Sequence, residues 1–136
     1  MNANPVFSLH IPTRILFGCG EIKKLATEIL PGKKAMIIIS GGTSMKKYGY
    51  LDKVTSFLTE NDVASIVYDK ILPNPIKSHV MEAAAICREQ GCDFIIGLGG
   101  GSTIDSAKAI AVMACNDGDF WNYVTGGTGK GRPVTK

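Results

Sequence analysis

Five consecutive apolar residues, Ala35-Met36-Ile37-Ile38-Ile39, lie between Lys33-Lys34 and Ser40-Gly41-Gly42. A strand with no polar face has no side to turn toward water. The run therefore predicts a strand covered on both faces, as in a parallel sheet. Parallel strands need crossover segments, and the chain supplies them. Leu51, Val54, Phe57 and Leu58 share one face of a helix. Val63 to Tyr68 reads as the next strand, followed by a Pro73-Asn74-Pro75 loop. Ile76, Val80, Ala83, Ala84 and Cys87 place a second helix that ends near Gly91. Phe94 to Leu98 reads as a third buried strand, and an alanine-rich helix follows it. This alternation predicts an α/β fold, a parallel sheet with flanking helices.

The ends of the chain read differently. The segments VFSLHI and RILFG, with Pro12-Thr13 as the turn between them, predict an N-terminal β-hairpin. Glu21 to Leu30 has helical spacing at Ile22, Leu25, Ala26 and Ile29 and is stopped by Pro31-Gly32. Past Asn116 the pattern fades to one short helical turn over Asp119 to Tyr123, where Trp121 and Tyr123 read as packing residues. Thr125 to Pro133 has the composition of a glycine-rich loop. The expected organisation is thus an incomplete α/β domain over residues 1–124 and a loop or linker over 125–136.

Bulk properties narrow the functional classes. At 136 residues the chain has room for one domain with a real core. Its formal charge of +3 comes from 15 basic and 12 acidic residues, with the lysines in scattered pairs. That balance gives no reason to expect nucleic-acid or membrane-surface binding. No apolar run reaches bilayer-spanning length, and MNANPVFSLHIPTR lacks the order of a signal peptide. A cytoplasmic protein is expected. Cys19, Cys87, Cys92 and Cys115 show no C-x-x-C spacing and read as small buried hydrophobes.

The glycines carry the functional reading. Gly99-Gly100-Gly101-Ser102 leads directly from a predicted strand into a predicted helix. A helix N-terminus presents unpaired N–H groups and a partial positive charge, and glycine lets a phosphate approach the backbone closely. The pattern Gly97-x-Gly99-x-x-Ser102 is similar to a dinucleotide fingerprint, with serine in place of the third glycine. A plainer reading competes: Ser102 and Asp105 could form a capping box around a tight turn. The second loop, Gly41-Gly42-Thr43-Ser44, favours the phosphate reading because it follows another buried strand in the same way. By contrast, Gly126-Gly127-Thr128-Gly129-Lys130 lacks the spacer and the Ser/Thr of a P-loop and reads as linker.

Taken in order, Phe17-Gly18-x-Gly20, Gly41-Gly42-x-Ser44 with Lys46-Lys47-x-Gly49, Pro73-Asn74-Pro75 and Gly99-Gly100-Gly101-Ser102-x-x-Asp105-x-x-Lys108 run through the whole chain. This ordered set resembles the iron-containing (group III) alcohol dehydrogenases, in their butanol dehydrogenase and aldehyde reductase branch. The resemblance implies a Rossmann-like cofactor domain followed by a helical domain carrying a divalent metal, iron or zinc. It implies further that Gly101, Ser102 and Asp105 hold the pyrophosphate region and that Asn74 lies along the cofactor; Gly99 and Gly100, in the same glycine loop, are read as cofactor-binding with them. The loop Gly41, Gly42, Thr43, Ser44 would face the adenosine ribose. NAD-preferring members carry an aspartate there; a small neutral loop with Lys46 and Lys47 nearby leans toward NADP, with NAD possible.

The family's metal is held by one aspartate and three histidines, whereas this chain has two histidines, His10 and His79. The expectation is therefore the amino-terminal, cofactor-binding portion of an NAD(P)-dependent alcohol dehydrogenase, with the metal site in the remainder and no catalysis by these 136 residues alone. The implied partners are a small alcohol or aldehyde and further copies of the chain in a homo-oligomer. A relative of glycerol dehydrogenase or dehydroquinate synthase shares the Gly-Gly-Gly-Ser loop and is the enzymatic alternative. A nucleotide-binding module without catalysis is the other.

Overall fold

The computed structural model describes residues 8–135. Its centre is a three-stranded parallel sheet in the order β2-β1-β3, formed by β1 (Lys34–Ser40), β2 (Ala64–Ile71) and β3 (Phe94–Gly97). A short helix α1 (Ser44–Lys47) and α2 (Tyr50–Glu60) connect β1 to β2. From β2 the chain crosses through α3 (Lys77–Glu89) to β3 and continues into α4 (Gly101–Cys115). The parallel sheet with flanking helices is the predicted α/β architecture.

The continuous apolar run in β1 serves two cores at once. Ala35 through Ile39 are all fully buried. Met36 and Ile38 point to one face, with Val80, Ala83, Ala84 and Cys87 of α3 and Ala107, Ile110 and Met113 of α4. Ala35, Ile37 and Ile39 point to the other, against Val54 and Leu58 of α2 and against Val63. The period-two alternation of side chains along a strand makes this division. Fully burying each such isoleucine contributes about 1.5–3 kcal/mol. Asp93 pins the start of β3 to the sheet, its carboxylate accepting the Lys33 and Lys34 N–H groups at 2.7 and 2.9 Å.

Three expectations need correction. The N-terminal hairpin is not formed: residues 8–17 carry no strand, and Val6 and Phe7 of its first arm lie outside the described residues. Leu9, Ile11, Ile15 and Phe17 are exposed, and a two-stranded hairpin without a core to cover it is marginal in water. The segment is tied down by Arg14, which donates twice to Glu28 at 2.7 and 2.9 Å. The helix expected over Glu21 to Leu30 is a 3-10 helix limited to Glu21–Ala26. β3 is half-buried, where a strand covered on both faces was expected. It is an edge strand, and its outer side opens on a groove of about 390 Å³ lined by Phe94, Gly97, Ile104, Ala107 and Ala111.

The glycine-rich segment after residue 124 turns back onto the preceding 3-10 turn, Phe120–Asn122. Arg132 donates its N–H to the Asn122 carbonyl at 2.9 Å. Asn116 bridges to Thr135, accepting its N–H at 2.7 Å. A β-carbon on Gly127 or Gly129 would lie about 2 Å from the carbonyl oxygens of Trp121 and Asn122, so these glycines allow a close backbone contact.

Candidate functional site

The order β2-β1-β3 contains one reversal. From β1 the chain moves outward to β2, then crosses back to lay β3 on the other side of β1. The carboxyl ends of β1 and β3 therefore flank a topological switch point, where neighbouring loops part and leave a crevice. The crevice has a volume of about 240 Å³ and is lined by Ser40, Ser44 and Met45 after β1, Leu72 and Pro73 after β2, and Gly99 through Thr103 after β3.

Each glycine after β3 has its own reason. Gly99 has φ +154°, and a β-carbon there would lie 2.8 Å from Thr103 Oγ1, so the turn itself excludes a side chain. Gly100 and Gly101 differ. A β-carbon on either would meet nothing within 4 Å, so internal packing does not require glycine at these positions. Gly100 is the N-cap of α4, and no side chain caps the helix. The first turn of a 15-residue helix thus lines the crevice with N–H groups that have no intrahelical partner.

The capping box read from Ser102 and Asp105 is absent, because both side chains are used elsewhere. Ser102 Oγ accepts the Asn74 N–H at 3.2 Å, tying the β2–α3 loop to the head of α4. Asn74 itself holds φ 63°, a left-handed conformation that asparagine tolerates. Asp105 lies outside the lining residues and faces Lys108 Nζ at 3.4 Å on the exposed side of α4.

The loop after β1 is built differently. Gly41 donates its N–H to the Ile71 carbonyl at 2.9 Å, so that group is spent on β2. A β-carbon on Gly41 would lie 3.3 Å from the Asp69 carbonyl oxygen, and one on Gly42 3.6 Å from Ser40 Oγ. Ser44 lines the crevice, whereas Gly41 and Gly42 are not among its lining residues. Lys46 Nζ pairs with Asp69 at 2.5 Å and holds that carboxyl below its usual range, chiefly by hydrogen bonding. The sequence reading singled out Lys46 but missed Asp69. The signal was an acidic residue near the carboxyl end of the neighbouring strand. It also missed Ser40, Met45, Leu72 and Thr103 as lining residues.

A metal does not fit the residues at hand. Among the described residues no group of three or more histidine, cysteine, aspartate or glutamate side chains could hold an ion. No helix among them is long and apolar enough to cross a membrane.

Comparison with known proteins places the chain in a family. The family model for "Iron-containing alcohol dehydrogenase" matches residues 12–136. The chain belongs to that family. It is 40% identical over 119 residues to the probable NADH-dependent butanol dehydrogenase 1 of Bacillus subtilis, covering 88% of this chain and 31% of that protein. It is 44% identical over 108 residues to the NADPH-dependent aldehyde reductase YqhD of Escherichia coli, covering 79% and 27%. Among solved structures, the archaeal halo-thermophilic Red Sea brine pool alcohol dehydrogenase ADH/D1 superposes with a TM-score of 0.86 at 35% identity, over 98% of this chain and 34% of that one. The chain thus spans about a third of the length of the relatives it matches.

Proposed function

We propose that this chain holds the diphosphate and adenosine half of a nicotinamide dinucleotide for a metal-dependent alcohol dehydrogenase. In the whole protein, hydride would pass between the nicotinamide and an alcohol/aldehyde pair. The observation that carries the reading is the uncapped first turn of α4, opened by Gly100 and Gly101, whose missing β-carbons face open space at the β1/β3 switch point. Gly100, Gly101, Ser102 and Thr103 offer backbone N–H groups to a diphosphate, and the helix dipole favours its charge. A bound dinucleotide supplies the hydride donor or acceptor; these residues bind and orient it. Asn74, anchored to Ser102, borders the same loop and is assigned to the cofactor's flank. Asp105 is assigned an indirect, electrostatic part, since it stands one turn along α4 and pairs with Lys108.

Gly41, Gly42 and Ser44 are assigned to the adenosine ribose. Their lack of an acidic side chain, with Lys46 close by, favours a 2′-phosphate and hence NADP over NAD. The names of the relatives include both cofactors, so the lean rests on this loop. Catalysis would need a metal to polarise the substrate oxygen. Since the described residues do not fit one, we assign no catalytic residue to this chain and expect these 136 residues alone to be inactive.

Calorimetric titration of the chain with NADPH, NADH, ADP-ribose and adenosine tests the assignment. Binding of the first three with adenosine at least tenfold weaker is expected. Equal affinity for adenosine and ADP-ribose would sink it.

A further inference from the structure

Away from the crevice, three of the four cysteines meet at the opposite end of the sheet. Cys87, Cys92 and Cys115 line a cavity of about 110 Å³ together with Phe94, Ile95, Ala111 and Ala114. Two of them are held in a defined relation by the end of α3. That helix closes with Gly91 at φ 62°, the Gly91 N–H donating to the Arg88 carbonyl at 3.1 Å and the Cys92 N–H to the Cys87 carbonyl at 3.0 Å. This is the paired-bond pattern of a Schellman cap. In it, with Gln90 as the C-cap, the third residue before the cap and the second residue beyond it bring their side chains into contact. Apolar residues commonly fill both places; here both are cysteine. The Cys92–Cys87 backbone bond alone limits their Cα separation to about 7 Å, at the edge of what a disulfide bridges. Cys87 is buried in the core and Cys92, half-buried, packs against it.

We propose that Cys87 and Cys92 form a reversible thiol–disulfide exchange site that reacts with small disulfides such as glutathione disulfide and, when oxidised, clamps the end of α3 to the start of β3. The more accessible Cys92 thiolate attacks one sulfur of the reagent, forming a mixed disulfide and expelling one glutathione thiolate. The Cys87 thiolate then attacks the Cys92 sulfur and expels the second. Two protein thiols lose two electrons and two protons, and the reagent is reduced to two thiols. A thiol reductant reverses both steps.

The surroundings set the rate. Burial, followed by the neighbouring Cys92 thiol, pushes the Cys87 thiol up to about 11; Cys115 adds to this and the Arg88 guanidinium opposes it. Burial also raises Cys92, with Asp93 reinforcing the effect and Lys34 and the Cys87 thiol working against it. The thiolate is the attacking species, so exchange is slow at neutral pH and accelerates about tenfold per pH unit while both thiols remain protonated.

The test treats the reduced 136-residue chain with glutathione disulfide and reads it by mass spectrometry. Trypsin cuts after Arg88, so an unreduced digest keeps segments 78–88 and 89–108 joined only if the Cys87–Cys92 bond has formed. The expected result is that linkage as the main product, faster at higher pH. Cys87→Ser should stop at a glutathione adduct on Cys92, and Cys92→Ser should lose the linkage. Gly91→Ala, which strains the left-handed cap, should slow closure about fivefold. The proposal is overturned if the main product involves Cys19 or Cys115, if no linkage forms, or if Gly91→Ala closes as fast as the parent.

Discussion

Two loops in this molecule share one description, a run of glycines at the carboxyl end of a parallel strand leading into a helix. Their physics differs. After β1, the Gly41 N–H is tied to Ile71, the helix that follows has four residues, and the nearest cation is paired with Asp69. After β3, the helix has 15 residues and no side-chain cap, and Gly100 and Gly101 have empty space where a β-carbon would stand. Glycine content therefore does not measure anion affinity. What matters is where the N–H groups go and how much aligned helix lies behind them.

The largest expected effect that would break this contrast concerns affinity. Gly101→Asp places a carboxylate at the head of α4 and should weaken ADP-ribose binding by at least a hundredfold in a calorimetric titration, with the fold retained. Gly42→Asp should leave the diphosphate contribution intact and instead lower the preference for 2′-phosphorylated ligands. Equal losses at the two positions would mean that the loops do one job.

Stability separates the glycines within the loop after β3. Gly99→Val should cost about 1–3 kcal/mol in chemical denaturation, because its φ of +154° and the contact with Thr103 leave no room for a side chain. Gly100→Ala should stay within about 1 kcal/mol of the parent. A severe loss at Gly100 would show that packing, and not a ligand, explains that residue.

A smaller effect is expected at Lys46 and Asp69. Lys46→Met should reduce any 2′-phosphate preference, read as the ratio of affinities for 2′,5′-ADP and 5′-ADP, whereas Asp69→Asn should increase it by freeing the ammonium group. Neither should move stability by more than about 0.5 kcal/mol near neutral pH, since the pair is half-exposed.

The smallest effect is on acid stability. The Asp69 carboxyl titrates below its ordinary value of 3.8 because it accepts from Lys46, so its folded form binds a proton less readily than its unfolded form. Its stabilising contribution is complete above that ordinary value and fades as pH falls through the lower, folded one. Asp69→Asn should flatten that acidic limb slightly, lowering the plateau above pH ~5 by no more than about 0.5 kcal/mol and leaving stability at the acid end unchanged.

Much of the fold was legible because β1 has no polar residue between Ala35 and Ile39, and burial on both faces follows from that alone. The helical faces through Val54 and Leu58 and through Val80, Ala83, Ala84 and Cys87 could be read for the same reason. β3 misled because Phe94-Ile95-Ile96 is as apolar as β1, and sequence does not reveal that one side of a strand lacks a neighbour. The hairpin failed on the same point, since alternation around Leu9 and Ile11 says nothing about whether a surface exists to cover them. At the site, the loop positions were readable from spacing. The hydrogen bond from Asn74 to Ser102 and the Lys46–Asp69 pair were not, because each joins residues more than 20 apart in the chain.

The claim that the head of α4 receives a diphosphate is tested most directly by amide NMR of the chain titrated with ADP-ribose. The account predicts the largest shifts at the Gly100, Gly101, Ser102 and Thr103 amides, saturating together, with the Gly41 amide held steady by Ile71. Saturable binding that leaves those four amides in place would contradict it.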